Sequence, residues 1–141
     1  MIDGGLRRIF RSSLPEFHWV SVETGGTGRG VPDSEYCRGG VTGWIEFKKT
    51  DGWCVTLRPE QVAFMSRRFR ERGRCFIAVR QQCKPGPRRE ARDALWLIQG
   101  NLAAMAKSDG LRALEGLQGV AVWHHGPARW DWAAVREMLL S

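Results

Sequence analysis

Four side chains in one stretch have the types and the spacing to do chemistry on a phosphodiester. Asp33 follows Pro32, Glu46 stands thirteen residues on, Lys48 lies two residues beyond it, and Gln61 opens the next helical segment. Hydrolysis of a phosphodiester needs a nucleophilic water near neutral pH, a counter-charge for the phosphate oxygens and a neutralised leaving oxygen. A divalent metal supplies all three. Mg2+ prefers oxygen ligands and usually takes only one or two carboxylates from the protein. Asp33 and Glu46 on paired strands provide that number. Lys48 shares a sheet face with Glu46, because side chains two apart on a strand point the same way. That face also carries Trp44, and the opposite one carries Ile45 and Phe47. The residues alone leave a second reading open, a structural ion pair between Glu46 and Lys48, since charged side chains are seldom buried unless paired.

The elements that must position these groups can be read from pattern. Ile2, Leu6, Ile9, Phe10 and Leu14 recur on one face of a helix over residues 2–14, with Arg7, Arg8 and Arg11 off that face and Pro15 ending it. Residues 17–23 (FHWVSVE) read as a strand. The glycine-rich run 25–30 (GGTGRG) precedes a strand and not a helix, so it is a connector and no dinucleotide fingerprint. Residues 31–37 and 41–49, joined at Arg38-Gly39-Gly40, predict an antiparallel hairpin. Residues 53–57 read as extended.

Pro59 begins a helix that runs to about Arg72, with Gly73 as its stop. Gln61, Met65 and Phe69 share its inward stripe. A strand over 75–80 follows, and the strand–helix–strand step makes a right-handed crossover. Residues 81–92 read as a polar basic loop and a candidate for local disorder. A strand over 94–98, a helix over 101–107 capped by Asn101, a short strand over 120–123 and a last helix from Asp131 complete the chain. In that last helix Asp131 is the N-cap, and Trp130 and Val135 form a hydrophobic staple.

Composition narrows the partners. Lysine and arginine number 22 against 15 acids, a net charge of +7, which favours a polyanionic partner such as nucleic acid. Arg29, Arg67, Arg68 and Arg70 are the candidate backbone contacts. Cys37, Cys54, Cys75 and Cys83 form no CxxC pair, which argues against a zinc or iron–sulfur centre. His124 and His125 lack an acid at ligand spacing and read as surface or packing residues. Neither Ser12, Ser13 nor Ser34 lies in a nucleophile-elbow context. No apolar run has the length of a membrane span and no signal-peptide core opens the chain, so the expectation is a cytoplasmic protein with no membrane partner.

The pattern Pro32-Asp33, Glu46-Phe47-Lys48 resembles the signature of the PD-(D/E)xK nuclease superfamily. The preceding Gly30-Val31 and the Gln61 helix are similar to the VRR-NUC and Holliday-junction-resolvase-like branch. The resemblance covers roughly residues 2–80. It implies an α+β (α/β) restriction-endonuclease-like core with a mixed central sheet in αβββαβ order, followed by a C-terminal strand and helices. One domain spans 1–141, with a core over about 2–98 and an elaboration over about 99–141. The resemblance further implies Mg2+ or Mn2+ held by Asp33, Glu46 and the Phe47 carbonyl, with Lys48 assisting the attacking water and Gln61 nearby. Many relatives carry a further acid on the first helix. Residues 6–14 of this helix have none, Asp3 lies too near the terminus, and Glu23 is the substitute candidate. The expected activity is a DNA endonuclease acting on branched or structured DNA, in a homodimer and of a kind found in phages or mobile elements. A non-catalytic DNA-binding module and an RNA-directed nuclease are the alternatives.

Overall fold

The computed structural model describes residues 3–22 and 29–141. Its elements are α1 (Leu6–Ser13), β1 (His18–Ser21), β2 (Ser34–Arg38), β3 (Val41–Thr50), α2 (Pro59–Arg70), β4 (Cys75–Cys83), β5 (Arg92–Gln99), α3 (Ala103–Asp109), α4 (Leu111–Leu114), β6 (Val120–Trp123) and α5 (Trp132–Leu140), with a 3-10 turn at Gly100–Leu102. The fold is α+β, and its first six elements follow the expected αβββαβ order. The strands form one six-stranded mixed sheet in sequence order. Only β3 and β4 pair in parallel, and α2 makes the crossover between them.

Strand alternation divides the core into two layers. Ile45, Phe47, Phe76, Ala78, Leu95 and Leu97 face α1 and α5, where Leu6, Phe10, Val135 and Leu139 are buried. Ile77, Val79, Trp96 and Ile98 face α2, α3 and α4, where Met65, Ala106 and Leu114 are buried. Trp44, Glu46 and Lys48 share that second face by the period of two, as expected. Asp131 caps α5 by accepting from the Ala134 N–H at 3.0 Å, and Trp130 and Val135 are both buried in the first layer.

Several boundaries differ from the expectations. Helix α1 starts at Leu6, because Gly4 and Gly5 hold φ of 63° and 79°, outside the helical region. Asp3 is buried there, and its carboxylate accepts from the Gly5 N–H at 2.9 Å. Strand β2 starts at Ser34, since Pro32 has no N–H to give a ladder. Helix α2 ends at Arg70, two residues before the expected Arg72. Arg72, not Gly73, takes the left-handed position with φ 63°, and the Gly73 N–H reaches back to the Arg68 carbonyl at 2.9 Å, a Schellman closure. Residues 53–57 form no strand, although Val55 and Leu57 are buried.

The two ends of the polar segment 81–92 are built into the sheet, and residues 84–91 remain the connection. Gln81, Gln82 and Cys83 extend β4 and pair with Ala94, Asp93 and Arg92. Gln81 is buried and satisfied at both ends, taking the Trp96 indole N–H at 2.9 Å and donating to the Gly52 carbonyl at 2.8 Å. Asn101 lies exposed inside the 3-10 turn, and α3 has no side-chain cap.

Candidate functional site

The hairpin register brings the two acids together. Ser34 pairs with Ile45, so one step further along β2 sets Asp33 opposite Glu46. Asp33 lies just before the ladder begins. Its carboxylate takes the Phe47 N–H at 3.0 Å, and its own N–H donates to Glu46 Oε1 at 3.2 Å. The Phe47 amide thus faces Asp33. The N–H and carbonyl of one strand residue point to the same side, so the Phe47 carbonyl is directed there as well.

Glu46 is 4% exposed. Its second oxygen accepts from Gln61 Nε2 at 3.1 Å and lies 3.6 Å from Lys48 Nζ. Burial, and then the Asp33 charge, push the Glu46 carboxyl up to about 7, and Lys48 pulls the other way. Lys48 therefore forms the ion pair that the residues alone had left open, yet a single lysine does not balance two facing carboxylates.

Gln61 sits where expected, buried at the start of α2. Its Oε1 accepts from the Arg58 N–H at 2.9 Å, the N3 half of a capping box. That acceptor role fixes the amide orientation and turns Nε2 toward Glu46. Gln61 therefore positions the Glu46 carboxylate.

Gly30, which precedes Val31-Pro32-Asp33, has a structural role. It is buried with φ 86°, and a Cβ there would overlap the Glu60 carbonyl of α2. The chain leading to Asp33 thus lies directly against the helix that carries Gln61. Gly30→Ala is expected to cost about 2 kcal/mol or more, from the left-handed backbone and the displaced helix start. Urea unfolding of the two proteins measures it, and an unchanged midpoint contradicts the close approach.

The remaining candidates separate. Glu23 lies outside the described residues. Arg29 is exposed beside Gly30, and Arg67 and Arg70 are exposed on α2. Arg68 is half-buried, with its guanidinium 5.8 Å from the Trp44 ring and 5.0 Å from the Phe64 ring. His124 and His125 are exposed at the end of β6, the edge strand farthest in sheet order from β1. All four cysteines are free.

No group of three or more His, Cys, Asp or Glu that could hold a metal occurs among the described residues. Two carboxylates with a carbonyl and solvent match the oxygen-rich, water-retaining preference of Mg2+ or Mn2+ rather than a zinc cage.

The raised Glu46 carboxyl has a stability consequence. Folding takes up a proton between the ordinary value of 4.5 and about 7. Stability therefore falls as pH rises through that window, and the penalty is fully present above it. In chelator, wild type should lose melting temperature relative to Glu46→Gln between about pH 5 and about pH 7.5. A difference that does not change with pH contradicts the shift.

No family model matches the chain, and no curated protein matches it.

Proposed function

We propose that the chain is a metal-dependent nuclease that hydrolyses phosphodiester bonds in DNA. One observation carries the reading: a second acid, Asp33, stands against the buried Glu46, its N–H on Glu46 Oε1 and its charge raising the Glu46 carboxyl, with Lys48 beside them. A structural ion pair needs one acid and one base. The extra acid destabilises the pair on its own and becomes favourable with a bound cation.

Asp33 and Glu46 would hold Mg2+ or Mn2+, with the Phe47 carbonyl as a further oxygen donor. When bound, such an ion acidifies water and neutralises developing charge on phosphate. The chain's own residues do the remaining work. Gln61 and the Asp33 N–H fix the Glu46 carboxylate, so the donor set is preorganised. The Lys48 side chain, 22% exposed, presents its ammonium charge where a phosphate oxygen or an attacking water would lie. The net charge of +7 favours backbone binding that is salt-dependent and weakly sequence-specific. Branched or structured DNA is the substrate class that the motif resemblance suggests, and a homodimer presenting two sites would suit it.

The test is a panel of linear, flap, fork and four-way DNA incubated with Mg2+, Mn2+ or EDTA. Cleavage with either metal and none with EDTA is the expected result. DNA bound but uncut under every condition would mark a binding module, and preferential cleavage of RNA would move the substrate class.

A further inference from the structure

A second cationic constellation lies at the far end of α2. Arg68, Arg72 and Arg74 line a cavity of about 180 Å3 against Thr42, Gly43 and Trp44 at the start of β3. The ion pairs with Asp or Glu among the described residues, Lys48–Glu46, Arg80–Asp93 and Arg136–Glu16, include none of these arginines. Each is held by other means. Arg68 lies over the Trp44 and Phe64 rings. Arg74 donates through Nε to the Ser141 carbonyl at 3.0 Å, and its own carbonyl takes the Trp44 N–H at 2.9 Å.

Arg72 is the informative member. It occupies the left-handed position that closes α2, with φ 63°. Glycine fills that position at no steric cost, and the chain has a glycine one residue later. A non-glycine residue in a sparsely populated conformation points to a role for its side chain. The helix dipole favours cations near α2's end, but it does not require an arginine at the one position where glycine fits best. Three guanidinium groups with no Asp or Glu partner, around a cavity with room for one tetrahedral anion, have the chemistry of phosphate recognition.

We propose that this cavity binds a phosphate group of the nucleic acid close to the one that is cut. The proposal rests on the nuclease reading for its substrate. Trp44 and Glu46 project from the same face of β3, roughly 7 Å apart along the strand. Helix α2 runs about 10 Å from Gln61 at the carboxylates to Arg68. At about 3.4 Å rise per nucleotide, the gripped phosphate lies within about three nucleotides of the scissile one.

Arg72→Gly separates this role from a structural one, because it should leave the melting temperature unchanged or raise it. Binding of a fluorescein-labelled duplex is followed by anisotropy in EDTA, where no metal-dependent cleavage occurs. Affinity should fall about five- to tenfold, and the slope of log K against log salt should become shallower by about one. Arg74→Gln, which keeps a donor for the Ser141 carbonyl, should weaken binding in the same direction. Inorganic phosphate should compete with the duplex for wild type more than for Arg72→Gly. Equal losses on duplexes with and without a terminal phosphate assign the cavity to the backbone, and a loss only on phosphorylated ends assigns it to a terminal phosphate. Wild-type affinity and salt slope in Arg72→Gly overturn the proposal. If Arg72→Gly weakens binding but no metal supports cleavage, the phosphate cavity stands and the nuclease reading falls. If cleavage is intact and Arg72→Gly binds normally, only the cavity falls.

Discussion

Asp33→Asn is expected to reduce metal-dependent DNA cleavage by at least about a thousandfold, the scale set by losing groups that stabilise a charged transition state. The fold should survive, since an asparagine carbonyl can still accept the Phe47 N–H that Asp33 takes at 3.0 Å. Stability in chelator should stay level or rise. The Asp33 charge is the second cause, after burial, of the raised Glu46 carboxyl, and removing it relieves a repulsion. The metal-induced rise in melting temperature should shrink or vanish, because a ligand stabilises only in proportion to its binding. Lost activity with intact or greater stability is the pattern of a site whose like charges are held together for function. A variant that simply unfolds would lose activity with a lowered melting temperature, and circular dichroism melts separate the two.

Lys48→Met is expected to lower cleavage by about a hundredfold to ten-thousandfold, the range for a positioned proton donor or a charge beside the reacting group. Its stability effect has the opposite sign to that of Asp33→Asn. Lys48 is the cation 3.6 Å from the buried Glu46, and removing one partner of a buried pair leaves the other uncompensated. The melting temperature in chelator should therefore fall. The metal-induced rise should persist, because both carboxylates remain. Metal binding kept and cleavage lost would place Lys48 at the reaction. Loss of both together would reduce it to a support for Glu46.

Where periodicity and turn chemistry agreed, the fold was legible in the chain. The Gly39-Gly40 turn set the β2–β3 register, and that register placed Asp33 opposite Glu46. Alternation along β3 put Glu46 and Lys48 on one face, and the inward stripe of α2 put Gln61 over them. Misread boundaries came from backbone conformations that residue type does not announce. Gly4 and Gly5 start α1 late, and Arg72 rather than Gly73 takes the left-handed position. The extension of β4 to Cys83 and of β5 back to Arg92 was hidden because it is held by ladder hydrogen bonds and by the buried Gln81 amide, neither of which has a hydrophobic period. Gly30 was visible only as motif context, since its function is the absence of a side chain against the Glu60 carbonyl. The holding role of Gln61 was likewise hidden, because it depends on the Arg58 N–H that it caps.

The most direct test is a titration of Mn2+ into the wild-type protein, with the rate of DNA cleavage and the melting temperature read from the same samples. If Asp33 and Glu46 hold the ion that serves hydrolysis, both readouts should rise together, saturate at the same concentration and return to baseline with EDTA. Cleavage that persists in EDTA, or a melting temperature that does not respond while cleavage does, would contradict the account.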